Sequence, residues 1–81
     1  MSESFQVAVF PVAADRWIAV IKAPGGPFST EVAIPEDVER EVSSAITEVL
    51  GTATADFQLV DDLGGRWTVE ASDEQRRRLA L

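Results

Sequence analysis

The stretch Pro35-Glu36-Asp37-Val38-Glu39-Arg40-Glu41-Val42-Ser43-Ser44-Ala45-Ile46-Thr47-Glu48-Val49-Leu50-Gly51 decides the fold. Pro35 suits the first turn of a helix, where its missing N–H has no intrahelical partner. Glu36, Asp37 and Glu39 crowd the end that the helix dipole makes positive. Val38, Val42, Ala45, Ile46, Val49 and Leu50 then recur at helical spacing and form one apolar stripe. Arg40 lies one turn after Glu36, and Glu41, Ser44, Thr47 and Glu48 fill the wet side. Gly51 supplies the C-cap. The pattern predicts a helix over 35–50 with a single dry face, and such a helix needs a sheet to lie on.

The residues before it supply that sheet. Phe5-Gln6-Val7-Ala8-Val9-Phe10 alternates around Phe5, Val7 and Val9 and reads as a strand, closed by Pro11. Val12 to Asp15 form a short connection, and Arg16-Trp17-Ile18-Ala19-Val20-Ile21-Lys22 comes next as a second strand, making a hairpin. Its two faces, Trp17/Ala19/Ile21 and Ile18/Val20, are both apolar, which predicts a central strand with something covering each side. Ala23-Pro24-Gly25-Gly26-Pro27 is a turn. A third strand runs over 28–34, with Phe28, Thr30, Val32 and Ile34 on one face and Ser29, Glu31 and Ala33 on the other.

After the helix, Thr52 to Asp56 is a crossing, and Phe57-Gln58-Leu59-Val60 reads as a fourth strand. Asp61-Asp62-Leu63-Gly64-Gly65 is a strong turn signal. Arg66-Trp67-Thr68-Val69-Glu70-Ala71 alternates and predicts a fifth strand. Ser72 before Asp73 and Glu74 marks a helix start with Ser72 as cap. The remaining 75–81 is too short for a stable helix unless it docks. The expected fold is α+β, a two-layer sandwich: a β-β-β-α-β-β sheet with one helix packed on one face and a short C-terminal helical tail. It forms a single domain over 1–81. One helix cannot cover five strands, so part of a sheet face is left for another chain.

Composition removes several function classes. The chain has 81 residues, no cysteine and no histidine. Disulfides, thiolate metal sites and thiol nucleophiles therefore go, together with the commonest general base and metal ligand. Fourteen acids against seven bases give a net charge of −7, the wrong sign for gripping a phosphate backbone. No apolar run approaches the roughly 18–20 residues of a membrane span. The acidic opening Met1-Ser2-Glu3-Ser4 is unlike a signal peptide, and a cytoplasmic location is expected.

Four constellations carry possible chemistry. Asp61 and Asp62, with Asp56 and Glu70 nearby, are oxygen ligands in principle, but they lack the spaced pattern of a calcium loop, and a solvated turn is the simpler reading. Gly25-Gly26 and Gly64-Gly65 neither open a helix nor precede a Lys-Ser/Thr, so they are turns and not phosphate cradles. Ser29-Thr30 and Ser43-Ser44 lack a base other than the single lysine, Lys22, and no enzyme activity is expected. Arg76-Arg77-Arg78 is the sole basic cluster on an acidic body. It either touches an acidic partner or nucleic acid, or simply complements the dipole of a last helix, and the second reading is preferred. Trp17 and Trp67 are core or edge packing in the first instance, and interface anchors in the second. No cofactor and no metal are expected.

The order of the first strand, of Arg16-Trp17-Ile18-Ala19, of the Ala23-Pro24-Gly25-Gly26 turn and of the acidic helix Pro35-Glu36-Asp37-Val38-Glu39-Arg40-Glu41-Val42 resembles the HicB-like antitoxin family. Gly51-Thr52-Ala53-Thr54-Ala55-Asp56-Phe57-Gln58-Leu59-Val60 is similar to the segment after the helix in short members. The resemblance covers about residues 5 to 60 and implies a partial ribonuclease-H-like β-β-β-α-β unit. It further implies a dimeric, acidic protein that blocks a small basic ribonuclease toxin. The net charge suits that role, since opposite potentials steer association. The family's repressors carry a DNA-binding segment after this unit. Nothing after Val60 is long enough for one, so nucleic acid is not an expected partner. The spaced carboxylates of a two-metal nuclease are also missing.

The expectation is therefore a non-enzymatic, homodimeric protein-interaction domain, a stand-alone HicB-like unit whose partner is a small basic toxin. Glu39, Glu41 and Glu48 are its contact acids, and Trp17 and Trp67 its apolar anchors. The alternative is a small structural or regulatory domain that only self-associates. A third reading, a small-ligand module, would show as a concave apolar pocket.

Overall fold

The computed structural model describes residues 4–23, 25–51 and 56–79. Alternating apolar residues make three successive strands, β1 (Ser4–Ala13), β2 (Arg16–Ala23) and β3 (Gly26–Val32). Each is antiparallel to the one before it. A 3-10 turn, Pro35–Asp37, leads into α1 (Val38–Leu50), and β4 (Asp56–Val60) returns parallel to β1. The four-stranded sheet has the order β3-β2-β1-β4. A second helix, α2 (Val69–Arg78), ends the described chain. The architecture is α+β, a mixed sheet with helices packed on one side.

Register sorts the side chains. Val7 pairs with Ile21 and Val9 with Ala19, while Trp17 pairs with Val32 and Phe5 with Phe57. All of these therefore point to one face, because successive strand residues alternate. There they meet Val38, Val42 and Ile46 of α1, and with Trp67 they form one buried cluster. α1 lies over β2 and β3, while α2 lies over β1. Gly51 ends α1 in the left-handed conformation at φ 68°. Gly26, at φ 127°, closes the tight β2–β3 turn that pairs with Ala23. Pro24, within the expected turn, lies outside the described residues, as do residues 52–55 of the expected crossing and the chain end at 80–81.

Three expectations need correction. The fifth strand expected at Arg66–Ala71 does not form; Arg66 makes only an isolated bridge to Val60, and the chain turns helical at Val69. Of the alternating trio only Trp67 is buried, whereas Val69 is 39% exposed. The cap is Thr68 and not Ser72: the Thr68 hydroxyl accepts the Ala71 N–H at 3.1 Å, and Ser72 Oγ instead donates to the Val69 carbonyl. Finally, Pro11 does not close β1. The β4 pairing stops at Ala8–Val60, so β1 has lost a neighbour by Pro11, and a residue without an N–H is tolerated there. The register shifts between Pro11 and Ala13. Two helices, not one, share a four-stranded sheet.

Ile46 is 2% exposed and Val49, three residues on, is 59% exposed. Ile46→Ala should therefore cost about 2–5 kcal/mol in urea unfolding, while Val49→Ala should stay within about 0.5 kcal/mol of the parent. Equal losses at both positions would mean that α1 does not pack through this stripe.

Candidate interaction surfaces

Three surfaces result from this arrangement. The first is the sheet face without helices. Strand alternation places Ala8 and Phe10 of β1, Ile18 and Val20 of β2, and Val60 of β4 on it. Phe10 sits opposite Ile18, and Ala8 lies between Val20 and Val60, so these side chains form a continuous apolar strip. All of them are half-buried by their neighbours alone, and Val12, at the bulge beside them, is 40% exposed. The charges on the same face balance: Arg16 and Lys22 against Glu31 and Asp56. Arg16 Nε lies 3.9 Å from Glu31 Oε2. This face is therefore close to neutral on a protein of net charge −7.

The second surface is the outer side of α1. Glu41 and Glu48 are about two turns apart and share one flank, whereas Glu39 and Glu48 are about two and a half turns apart and fall on opposite flanks. The structure thus brings two of the three expected contact acids together and separates the third. Arg40 reaches Asp37 at 3.1 Å and Glu41 at 3.9 Å, which dilutes the negative charge there. Glu39 instead joins Glu36 in a groove of about 630 Å3. Pro35 and these acids line one side of it, the segment from Gly64 to Val69 lines the other, and Phe57 and Leu59 of β4 lie between. A shallower depression of about 500 Å3 continues it along Arg40, Ser43 and Ser44.

The third is the cluster under α2. Trp17 is fully buried and Trp67 is 3% exposed, so neither serves as a surface anchor; both are core. Their rings meet edge to face, with centroids 5.9 Å apart and planes at 68°. Trp67 Nε1 donates to Gln75 Oε1 at 3.0 Å. Gln75 Nε2 in turn donates to the Val9 carbonyl at 2.9 Å and to Asp62 Oδ1 at 3.0 Å. Arg78 also binds Asp62 Oδ1, and the Arg76 guanidinium lies 5.6 Å from the Trp17 ring centre. Two of the three tail arginines are therefore used within the fold. Sequence reasoning missed Gln75, because a lone glutamine among charged residues gives no periodic signal.

Asp61 shows why its acidic pair is a turn. Its carboxylate accepts the N–H groups of Leu63 and Gly65, both at 2.9 Å. Gly64 in the same loop takes φ 86°, the left-handed region. Among the described residues no group of three acids is placed to hold a metal. Lys22 and Ser29 lie diagonally on the open sheet face, both exposed, and no hydrogen bond joins them. No described helix is long and apolar enough to cross a membrane.

Comparisons with protein-family models, with curated proteins and with solved structures give no match.

Partial removal from water pushes the Asp62 carboxyl up, but hydrogen bonds from the Gln75 side chain, from its own backbone and from Arg78 outweigh this, aided by the Arg78 charge. The carboxyl therefore sits below its ordinary value of 3.8. Such a group contributes stability that is complete above the ordinary value and is lost as pH falls through the lowered one. The stability gap between the parent and Asp62→Asn should hold constant above the ordinary aspartate value and narrow below it, as read by urea unfolding across the acid range. A gap that does not change with pH would remove Asp62 from the account.

Proposed function

We propose that this chain is a non-enzymatic protein-interaction domain that pairs with a second copy through its helix-free sheet face. In this reading it presents α1 to a small basic protein, as a HicB-like antitoxin faces a small basic ribonuclease toxin. The observation that carries the pairing is the apolar strip around Phe10 and Ile18 within a locally neutral surface. Among the described residues, eleven of the thirteen acids lie elsewhere, so two copies can approach through this face without bringing their acidic sides together. The β-β-β-α-β order over residues 4–60 is the one the resemblance implies, and the net charge of −7 favours a basic partner. A cytoplasmic location goes with the proposal.

The second reading is self-association alone, without a toxin. It is favoured by the split of the acids on α1, where Glu39 faces away from Glu41 and Glu48, and by the partial neutralisation of Glu41 by Arg40.

Two measurements separate these readings. Light scattering should give a dimer mass that persists at high salt, and Phe10→Glu should reduce it to a monomer with unchanged helix content. A monomer at every concentration would end the pairing proposal. Copurification from the native host should yield a small basic protein whose toxicity this chain relieves. Its binding should weaken several-fold in the Glu41→Lys/Glu48→Lys double variant and with added salt. A dimer with neither a copurifying basic protein nor rescue would leave self-association as the function.

A further inference from the structure

We propose that α2 is a detachable strap: it lifts from the sheet as a unit while the rest of the fold stays closed, and its release opens the groove between α1 and β4. The residues of α2 argue for weak docking. It has ten residues, below the length at which a helix holds in water by itself. Its only buried side chains are Ser72 and Gln75, both polar, while Val69 and Leu79 at its ends are 39% and 38% exposed. No apolar stripe ties it down, in contrast to the buried Val38, Val42 and Ile46 of α1.

A set of directional contacts that share atoms holds α2 in place. Gln75 links α2 to Trp67, Val9 and Asp62, and Arg78 binds the same Asp62 oxygen. Contacts so joined are made and lost together. Docking also leaves two donors without a partner among the described residues, Trp17 Nε1 and Arg76 Nε, both fully shielded. Lifting α2 returns the Arg76 donor to water, which offsets part of the stabilisation that the Gln75 contacts and the cover over the Trp17 ring supply. Release reaches the groove at two places, Val69 at the start of α2 and the Trp67 ring. Trp67, Thr68 and Val69 form part of its wall, and Gln75 holds the Trp67 indole. When the strap lifts, the Val69 end of the wall goes with it and the Trp67 ring loses its anchor, while the Trp67 N–H stays bonded to the Leu59 carbonyl at 2.8 Å.

Native-state hydrogen exchange in low urea tests this on the intact chain without any partner, so its result stands apart from the proposed pairing and toxin binding. The α2 amides should exchange through an opening that depends little on urea, at least about a hundredfold faster than those of β2. Ile46→Val, which weakens α1 packing in the open and closed forms alike, should speed β2 exchange about fivefold and leave α2 unchanged. Gln75→Ala should speed α2 exchange about tenfold. If α2 and β2 amides follow one steep urea dependence, and Ile46→Val speeds both alike, α2 opens only when the whole domain unfolds and the strap does not exist. An unchanged α2 in Gln75→Ala would equally overturn it.

Discussion

Burial of the Val38, Val42 and Ile46 stripe against the sheet is the constraint on which the remaining architecture depends. A strand whose side chains alternate can satisfy a helix with only one of its faces, and register then commits every neighbouring strand to the same choice. Once Trp17, Ala19 and Ile21 face α1, Ile18 and Val20 must face away, and so must Phe10 opposite Ile18. The open apolar strip is thus the geometrical consequence of the closed one. The proposed pairing draws on the balance of Arg16 and Lys22 against Glu31 and Asp56 around it.

The same constraint explains the second helix. Four strands spaced about 4.8 Å apart span roughly 15 Å, and one helix with its side chains is about 10 Å across. α1 settles over β2 and β3, which leaves β1 and the rings of Trp17 and Trp67 short of cover. α2 fills that place with a polar underside. The tail arginines fit this role: Arg76 stacks on Trp17, Arg78 holds Asp62, and all three favour the negative end of the helix dipole.

The parts legible in the sequence were those in which hydrophobic period and local chemistry agreed. The helix ending at Leu50 with its Gly51 cap, the central place of β2 and the Asp61 turn came from short-range rules; the α-helix itself starts only at Val38, after a 3-10 turn over Pro35–Asp37, and Val49 and Leu50 of the expected stripe are exposed. The last third failed where the two signals conflicted. Trp67-Val69-Ala71 has the period of a strand over three apolar residues, but Thr68 is a good cap and Glu70 a good first-turn residue. The long-range bonds from Gln75 to Trp67 and to Val9, the latter 66 positions away, decided in favour of the helix. Nothing near Gln75 in sequence points to that. The tryptophans illustrate the other limit: residue type marks a ring as valuable, but only topology shows that both rings are spent on each other and on α2.

The division of labour between the faces bears on how such a small domain can bind at all. A thin core needs its tryptophans inside, so neither is left for a partner on the helix side, where half-buried Phe57 lines the groove. Charge and a groove remain there, and they favour fast and salt-sensitive encounters over tight apolar docking. The apolar surface lies on the opposite side, where charge is balanced. The proposed self-pairing through one face and the proposed electrostatic capture through the other therefore draw on different residues. A substitution at Phe10 and one at Glu48 touch different surfaces that share only the sheet between them.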